Sequence, residues 1–126
     1  MVEVAKHAAE FLKNSRIYVN VINARFVKPL DVGTIYEMAL ESKLIVTTEE
    51  NALAGGFGSA IAEFLADANI VRPILRFGIG DNFVEHGPRS QLLKDCGLTA
   101  ENIADVIYEK LKGNPQRTIE HEQTVL

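Results

Sequence analysis

The sequence contains little cysteine and no apolar run long enough to cross a membrane. One of its 126 residues is a cysteine, Cys96, so an intrachain disulfide is impossible and a reducing, cytoplasmic setting is expected. A membrane-spanning helix needs about 20 consecutive apolar residues, and no stretch approaches that length. The first residues, MVEVAKHAAEF, include an early glutamate and no long apolar stretch, which is not the pattern of a signal peptide.

Positive charge is also in the minority. The chain has 13 lysines and arginines against 17 aspartates and glutamates, which gives a net charge of −4. Nucleic acids and anionic membranes are bound by basic surfaces, so we expect neither as the main partner. The apolar fraction of 47% is ordinary for a globular protein, and the length suits one domain.

Helix-like and strand-like segments alternate along the chain. Apolar periodicity predicts helices and strands, with Asp31 and Thr99 as helix N-caps. Such alternation predicts a three-layer α/β/α fold with a mostly parallel sheet over residues 1–113, followed by a polar, frayed tail at 114–126. The predicted helices are 2–13, 31–41, 58–68, 90–96 and 100–112, and the predicted strands are 17–26, 44–48 and 71–77.

The stretch TEENALAGGFGSA places Gly55, Gly56 and Gly58 between a predicted strand and a predicted helix. Ligands often bind at this edge of a parallel sheet, and a helix start offers free N–H groups to an anion. The spacing fits neither of the two common phosphate-binding motifs. The dinucleotide-binding motif G-x-G-x-x-G would require a glycine at position 61, which is isoleucine, and a Walker loop would require a lysine after the glycines, which is absent. The pattern favours glycines that permit positive φ and close helix approach. A small-anion or metabolite site running from Gly55 to Ser59 is the alternative.

Two adjacent carboxylates, Glu49 and Glu50, precede this turn, and Asn51 follows them. On an extended chain, neighbouring side chains point to opposite faces, so the two glutamates cannot serve one reaction centre without a turn. We expect hydrogen bonds to the next helix start or to a partner subunit, rather than acid–base catalysis. With the glycines and Ser59, these residues form a candidate interface or anion turn.

A second candidate group, Asp81, Glu85 and His86, lies in one predicted loop. Such side chains can ligate a metal or carry protons. The remaining histidines, His7 and His121, lie in unrelated segments, so the sequence nominates no further ligands. Loop-packing hydrogen bonds by Asp81 and His86 are therefore favoured.

Three longer stretches carry a resemblance to a known family. Their motifs are R-F-x-K-P-L-D, E-E-N-x-x-x-G-G-x-G-S and D-x-F-x-x-H-G, in this order. Together they resemble the C-terminal domain of 1-deoxy-D-xylulose 5-phosphate synthases, which are thiamine-diphosphate enzymes of the transketolase superfamily. The stretches are NARFVKPLD (23–31), IVTTEENALAGGFGSAIAEFL (45–65) and ILRFGIGDNFVEHGPRSQLLKDCGLTAENIA (74–104).

The resemblance implies a larger enzyme that condenses pyruvate with glyceraldehyde 3-phosphate and supplies isoprenoid synthesis. Its thiamine diphosphate and Mg²⁺ belong to two preceding domains, and the Gly-Asp-Gly…Asn motif of that site does not occur here. No catalytic, cofactor or metal residue is therefore assigned to this chain. The resemblance implies a noncatalytic assembly domain that contacts the preceding thiamine-binding domains and a second copy.

The chain differs from the family at its start. In the family, a strand within the sheet leads into the helix that begins here at Met1, and an antiparallel strand precedes it; both are missing. A sheet without an interior strand must close the gap, exchange elements with another copy, or expose an unpaired edge. We expect the chain to self-associate.

Overall fold

The computed structural model describes residues 1–80, 87–113 and 123–125, the last as backbone. The predicted helices are found within two residues of their expected bounds. The described helices are α1 (Val2–Asn14), α2 (Val32–Glu41), α3 (Phe57–Asp67), α4 (Arg89–Asp95) and α5 (Ala100–Lys112), and the described strands are β1 (Val19–Val21), β2 (Ile45–Ala52), β3 (Ile74–Ile79) and β4 (Gln123–Val125). None of the helices within these ranges is long and apolar enough to cross a membrane.

The sheet has the strand order β1-β4-β2-β3, and its pairs are parallel. The register of β2 against β3 begins with Ile45 opposite Ile74 and shifts after Thr48. This irregularity lies at the carboxyl end of β2, directly before the glycine turn. The regular pairing of β2 with β3 is therefore interrupted where the candidate site residues begin, at Glu49.

Two apolar clusters cover the two faces of the sheet. One joins α1 and α5 to the sheet through residues such as Leu12, Val46 and Ile103. The other joins α2 and α3 to the opposite face through residues such as Ile35 and Ile61. Helices on both faces of a parallel sheet confirm the three-layer α/β/α architecture.

Two parts of the chain differ from the sequence prediction. The predicted strand 17–26 is reduced to β1, because the chain leaves the sheet after Val21, and Phe26 is 68% exposed. The segment 114–126 was predicted to be a polar tail, yet β4 lies inside the sheet and pairs with β1 and β2. In the described structure, β4 therefore lies at the interior position between β1 and β2.

Candidate functional site

The carboxylate of Glu49 caps the start of α3. It is 7% exposed and lies near the carboxyl end of β2. Its Oε2 accepts a hydrogen bond from the Phe57 amide at 2.7 Å, and its Oε1 accepts one from the Gly58 amide at 2.9 Å. A negative charge at this position also suits the positive end of the helix dipole. The backbone groups that could have held an external anion therefore already bind an internal one.

The glycine turn is shaped by close packing around this carboxylate. A Cβ at Gly56 would lie closer than 3.0 Å to the Glu49 carboxylate and to the carbonyl oxygen of Ala52. A Cβ at Gly58 would lie 2.6 Å from the hydroxyl of Thr47. Gly55 has a φ of +70° and nothing within 4 Å of its Cβ position. Gly56 and Gly58 thus allow close approach, and Gly55 allows a left-handed backbone.

The side chain of Ser59 stabilises the turn by hydrogen bonds to its backbone. Its hydroxyl donates to the Leu53 carbonyl at 2.8 Å and accepts from the Gly55 amide at 3.2 Å. The guanidinium of Arg76 also donates to Ser59 Oγ, at 2.9 Å. Ser59 therefore has a structural role in the described turn, and Arg76 is a contributor that local sequence patterns did not reveal.

Glu50 faces away from the turn and forms an ion pair with Arg89. Arg89 Nε donates to Glu50 Oε2 at 2.9 Å, and Arg89 Nη2 donates to Glu50 Oε1. The α-amino group of Met1 lies 3.6 Å from the same Oε1. The hydrogen bond from Arg89 is the main reason that the pKa of Glu50 lies below its ordinary value, and burial opposes the shift.

This pair predicts a pH-dependent effect on stability. A carboxyl whose pKa is lowered by folding stabilises the protein above its unfolded pKa, about 4.3 for glutamate, and loses that contribution as pH falls through the folded pKa. We expect Arg89→Gln to lower the urea midpoint at pH 7 by a small amount, because Arg89 is largely exposed.

Lys94→Gln is the matched control, because Lys94 is an exposed cation on the same helix. We expect the difference between the two variants to shrink as pH falls through the lowered folded pKa of Glu50, because protonation removes the charge that Arg89 binds. A difference that stays equal from pH 7 down into the acid range where the fold persists would show that the loss comes from packing and not from the ion pair.

The other candidates are not gathered at this site. Asn51 is exposed, and its Oδ1 accepts from the adjacent Ala52 amide at 3.0 Å. Asp81 and His86 lie outside the described residues. Glu49 and Glu50 diverge, as their adjacency in a strand predicted, and they bind different partners. Arg89 could not be nominated from sequence because it lies far along the chain from Glu50.

A cleft of about 300 Å³ opens at this edge of the sheet. It lies where β1 and β2 end and where α1 begins. Its lining is mixed, with apolar side chains beside the two glutamates. The residues that line it are Met1, Val2, Ala5, Val21, Ile22, Asn23, Ala24, Val27, Thr48, Glu49, Glu50 and Phe57.

An exposed apolar row lies on α2, away from the turn. Val32, Tyr36 and Leu40 are each about half exposed, at 50%, 45% and 49%. Their spacing of four residues places them on one side of the helix. Ile35 and Ala39, on the other side, are buried in the core. We call Val32, Tyr36 and Leu40 the α2 stripe.

Comparisons with known proteins agree on one family. The family model described as "Transketolase, C-terminal domain" matches residues 1–103. A 1-deoxy-D-xylulose-5-phosphate synthase of Caldanaerobacter subterraneus is 47% identical over 112 residues, which is 89% of this chain and 18% of that protein. The synthase of Heliobacterium modesticaldum is 50% identical over 109 residues, or 86% of this chain and 17% of that protein.

A solved structure supports the same relationship. It is described as "Split gene transketolase, inactive beta4 tetramer", and it matches with a TM-score of 0.80 and 31% identity. The match covers 88% of this chain and 36% of the solved one. The chain therefore spans under a fifth of the two synthases above and about a third of this transketolase chain.

Proposed function

The chain belongs to the transketolase C-terminal domain family, and from that relationship we propose that it is the noncatalytic assembly domain of a thiamine-diphosphate-dependent transferase. The identity to 1-deoxy-D-xylulose-5-phosphate synthases favours that enzyme within the family. The full enzyme would condense pyruvate with glyceraldehyde 3-phosphate in the cytoplasm, for isoprenoid synthesis. This chain would supply subunit contacts and hold none of the reacting groups.

The observation that carries the proposal is that the carboxylates of Glu49 and Glu50 are both bound by groups of the chain itself. The Glu49 carboxylate binds two backbone amides, and Glu50 binds Arg89. Their acceptor atoms serve the fold and are not directed at a common point. Within the described ranges, no group of three or more His, Cys, Asp or Glu side chains could hold a metal ion.

In this proposal, no catalytic step is assigned to the described residues. Thiamine diphosphate and Mg²⁺ would be held by the preceding domains. The alternative function, binding of a small anion at the glycine turn, is less well supported than the assembly role. An anion would have to displace the Glu49 carboxylate from the Phe57 and Gly58 amides.

We assign the contact with a second copy to the α2 stripe. Its side chains are apolar and about half exposed, and contiguous exposed apolar surface is typical of association sites. The related chain described as an inactive β4 tetramer is itself an oligomer, which favours a second copy of this chain as the occupant. Val71, which is 89% exposed, lies in the same cleft as Leu40 and extends the apolar surface.

We expect the chain to sediment as an oligomer. The double substitution Tyr36→Ser with Leu40→Ser should raise its dissociation constant by at least about tenfold, because two large apolar contacts are removed. Sedimentation velocity over a concentration series measures this. The control is Glu37→Ser with Glu41→Ser, which alters two exposed positions on the same helix without removing apolar surface.

Three outcomes would contradict the proposal. If the unmodified chain remains a folded monomer at high concentration, or if the stripe variant associates like the control, the α2 stripe is not the contact. Turnover of pyruvate and glyceraldehyde 3-phosphate by this chain, with thiamine diphosphate and Mg²⁺ added, would disprove a noncatalytic role.

A further inference from the structure

Gly33 is a glycine in the first turn of α2, and nothing in the described part of the fold requires a glycine there. It is exposed, and its φ lies outside the left-handed region. The atom nearest to its Cβ position is Asp31 Oδ1, at 3.8 Å, which is an ordinary contact distance. Glycine is a poorer helix former than alanine. The reason for a glycine at this position therefore lies outside the chain's own packing.

Gly33 lies beside the α2 stripe. It follows Val32 directly, and it is a surface neighbour of Tyr36 because residues three apart lie on the same side of a helix. The Tyr36 side chain is 45% exposed. A protruding ring and a position without a side chain thus lie one turn apart. Two copies turned end for end can each place the ring of one on the glycine of the other, which is an isologous contact.

The charges around α2 favour this end-for-end arrangement. Arg25 and Lys28 precede the helix, Glu37 and Glu41 lie in its C-terminal half, and all four are exposed. Asp31, at the basic end, already accepts hydrogen bonds from the amide and hydroxyl of Thr34. Antiparallel helices bring the basic end of one copy to the acidic end of the other, whereas parallel helices bring like charges together. Charges at the rim of an interface determine orientation more than affinity.

Exposed apolar side chains lie at both ends of α2. At the C-terminal end, the Arg72 guanidinium donates to the carbonyls of Leu40, at 3.1 Å, and Val71, at 3.0 Å. These bonds hold Val71, which is 89% exposed, next to Leu40. Before the N-terminal end, Phe26 and Val27 are 68% and 45% exposed. Their segment packs on the same core as α2 through other residues, Ile22, Ala24 and Leu30.

We propose that two copies associate through antiparallel α2 helices, with the Tyr36 ring of each copy packed on Gly33 of the other. This inference rests on the assignment of the second-copy contact to the α2 stripe, and it names the partner surface as the partner's own α2. The two-fold axis passes between positions 33 and 36, so the Leu40 end of one copy meets the segment with Phe26 in the other. A side chain at position 33 would occupy the place of the incoming ring.

Gly33→Ala tests this fit. We expect the dissociation constant of the oligomer, measured by sedimentation velocity, to rise at least about tenfold, because the methyl group prevents close approach of the partner's ring. At a concentration where the chain is monomeric, the urea midpoint should not fall, because alanine is the better helix former and the new carbon would lie 3.8 Å from its nearest neighbour. Gly80→Ala is the matched control, because Gly80 is exposed and its Cβ position has nothing within 4 Å.

Disulfide trapping tests the orientation in a Cys96→Ser background. A disulfide needs Cα atoms within about 7 Å of each other. In the antiparallel pair, the two copies of position 40 are about 16 Å apart along the helix axis, while position 32 of one copy lies near position 40 of the other. We therefore expect a mixture of Val32→Cys and Leu40→Cys chains to form a mixed disulfide, and Leu40→Cys alone to form no dimer.

The outcomes separate this inference from the proposed function. If the unmodified chain stays monomeric, the contact through the α2 stripe is absent and the inference is overturned with it. If the chain associates and Gly33→Ala has the same dissociation constant as Gly80→Ala, the antiparallel fit is wrong while the α2 stripe remains the contact. A lower urea midpoint for Gly33→Ala, or a disulfide dimer of Leu40→Cys alone, would also overturn the inference.

Discussion

Replacement of Glu49 by alanine is expected to lower the free energy of unfolding by about 3 kcal/mol. The change leaves the amides of Phe57 and Gly58 without their acceptor in a buried place. A buried group that loses its hydrogen-bond partner costs about 1–3 kcal/mol, and loss of a helix N-cap costs up to about 2 kcal/mol. Urea unfolding followed by circular dichroism measures the change.

Two related substitutions separate the cap from the charge. Glu49→Gln keeps one side-chain oxygen as an acceptor, so we expect roughly half the loss of the alanine variant. Glu50→Ala removes a neighbouring carboxylate that binds no backbone amide in the described turn, and its effect should be clearly smaller. If Glu49→Ala and Glu50→Ala lower the stability equally, the capping role of Glu49 is wrong.

The fold was predictable wherever the relevant information is local. Asp31 begins a helix because its carboxylate accepts the Thr34 amide at 3.2 Å, and Thr99 accepts the Asn102 amide at 3.3 Å in the same way. Both are short polar residues that directly precede a segment with apolar residues at helical spacing, which is the pattern that predicts an N-cap. The three-layer arrangement then follows from the alternation of helices and strands.

β4 could not be predicted because three residues are too few to show a period. Gln123–Val125 lies in a polar context, and its pairing with β1 and β2 depends on a gap created by segments more than 70 residues away. Tertiary context routinely overrides local preference in this way. The same reason applies to Arg76 and Arg89, whose partners Ser59 and Glu50 are remote in sequence.

At the candidate site, the sequence indicated the kind of interaction but not its geometry. Adjacency in a strand indicated that Glu49 and Glu50 would diverge, and hydrogen bonding at a helix end was expected for one of them. Glu49 faces the start of α3 because it lies on the same face of β2 as Ile45, which packs in the cluster with α2 and α3, and the sequence does not show which helix covers that face. Side-chain direction alternates with each residue in a strand, so a shift of one position would have exchanged their roles.

Replacement of Gly56 by alanine is expected to lower the free energy of unfolding by about 3 kcal/mol. The new methyl group would lie closer than 3.0 Å to both the Glu49 carboxylate and the Ala52 carbonyl. Overpacking costs about 1–3 kcal/mol, and displacing the carboxylate also weakens its hydrogen bonds to the helix start. Thermal or urea unfolding of the variant measures the loss.

Gly55→Ala is the matched control, because it tests backbone freedom without a clash. Gly55 has positive φ but open space around its Cβ position, so we expect a loss of only about 1 kcal/mol. Equal losses at Gly55 and Gly56 would mean that conformation, and not close approach, determines both positions.

The link between Gly56 and Glu49 can be measured directly by a double-mutant cycle. If the methyl group acts largely by displacing the carboxylate, Gly56→Ala should cost less in a Glu49→Ala background, with a coupling of at least about 1 kcal/mol. The remaining cost would come from the Ala52 carbonyl, which stays in place. Additive losses would show that the carboxylate and the glycine act independently, and that the turn does not depend on an internal anion.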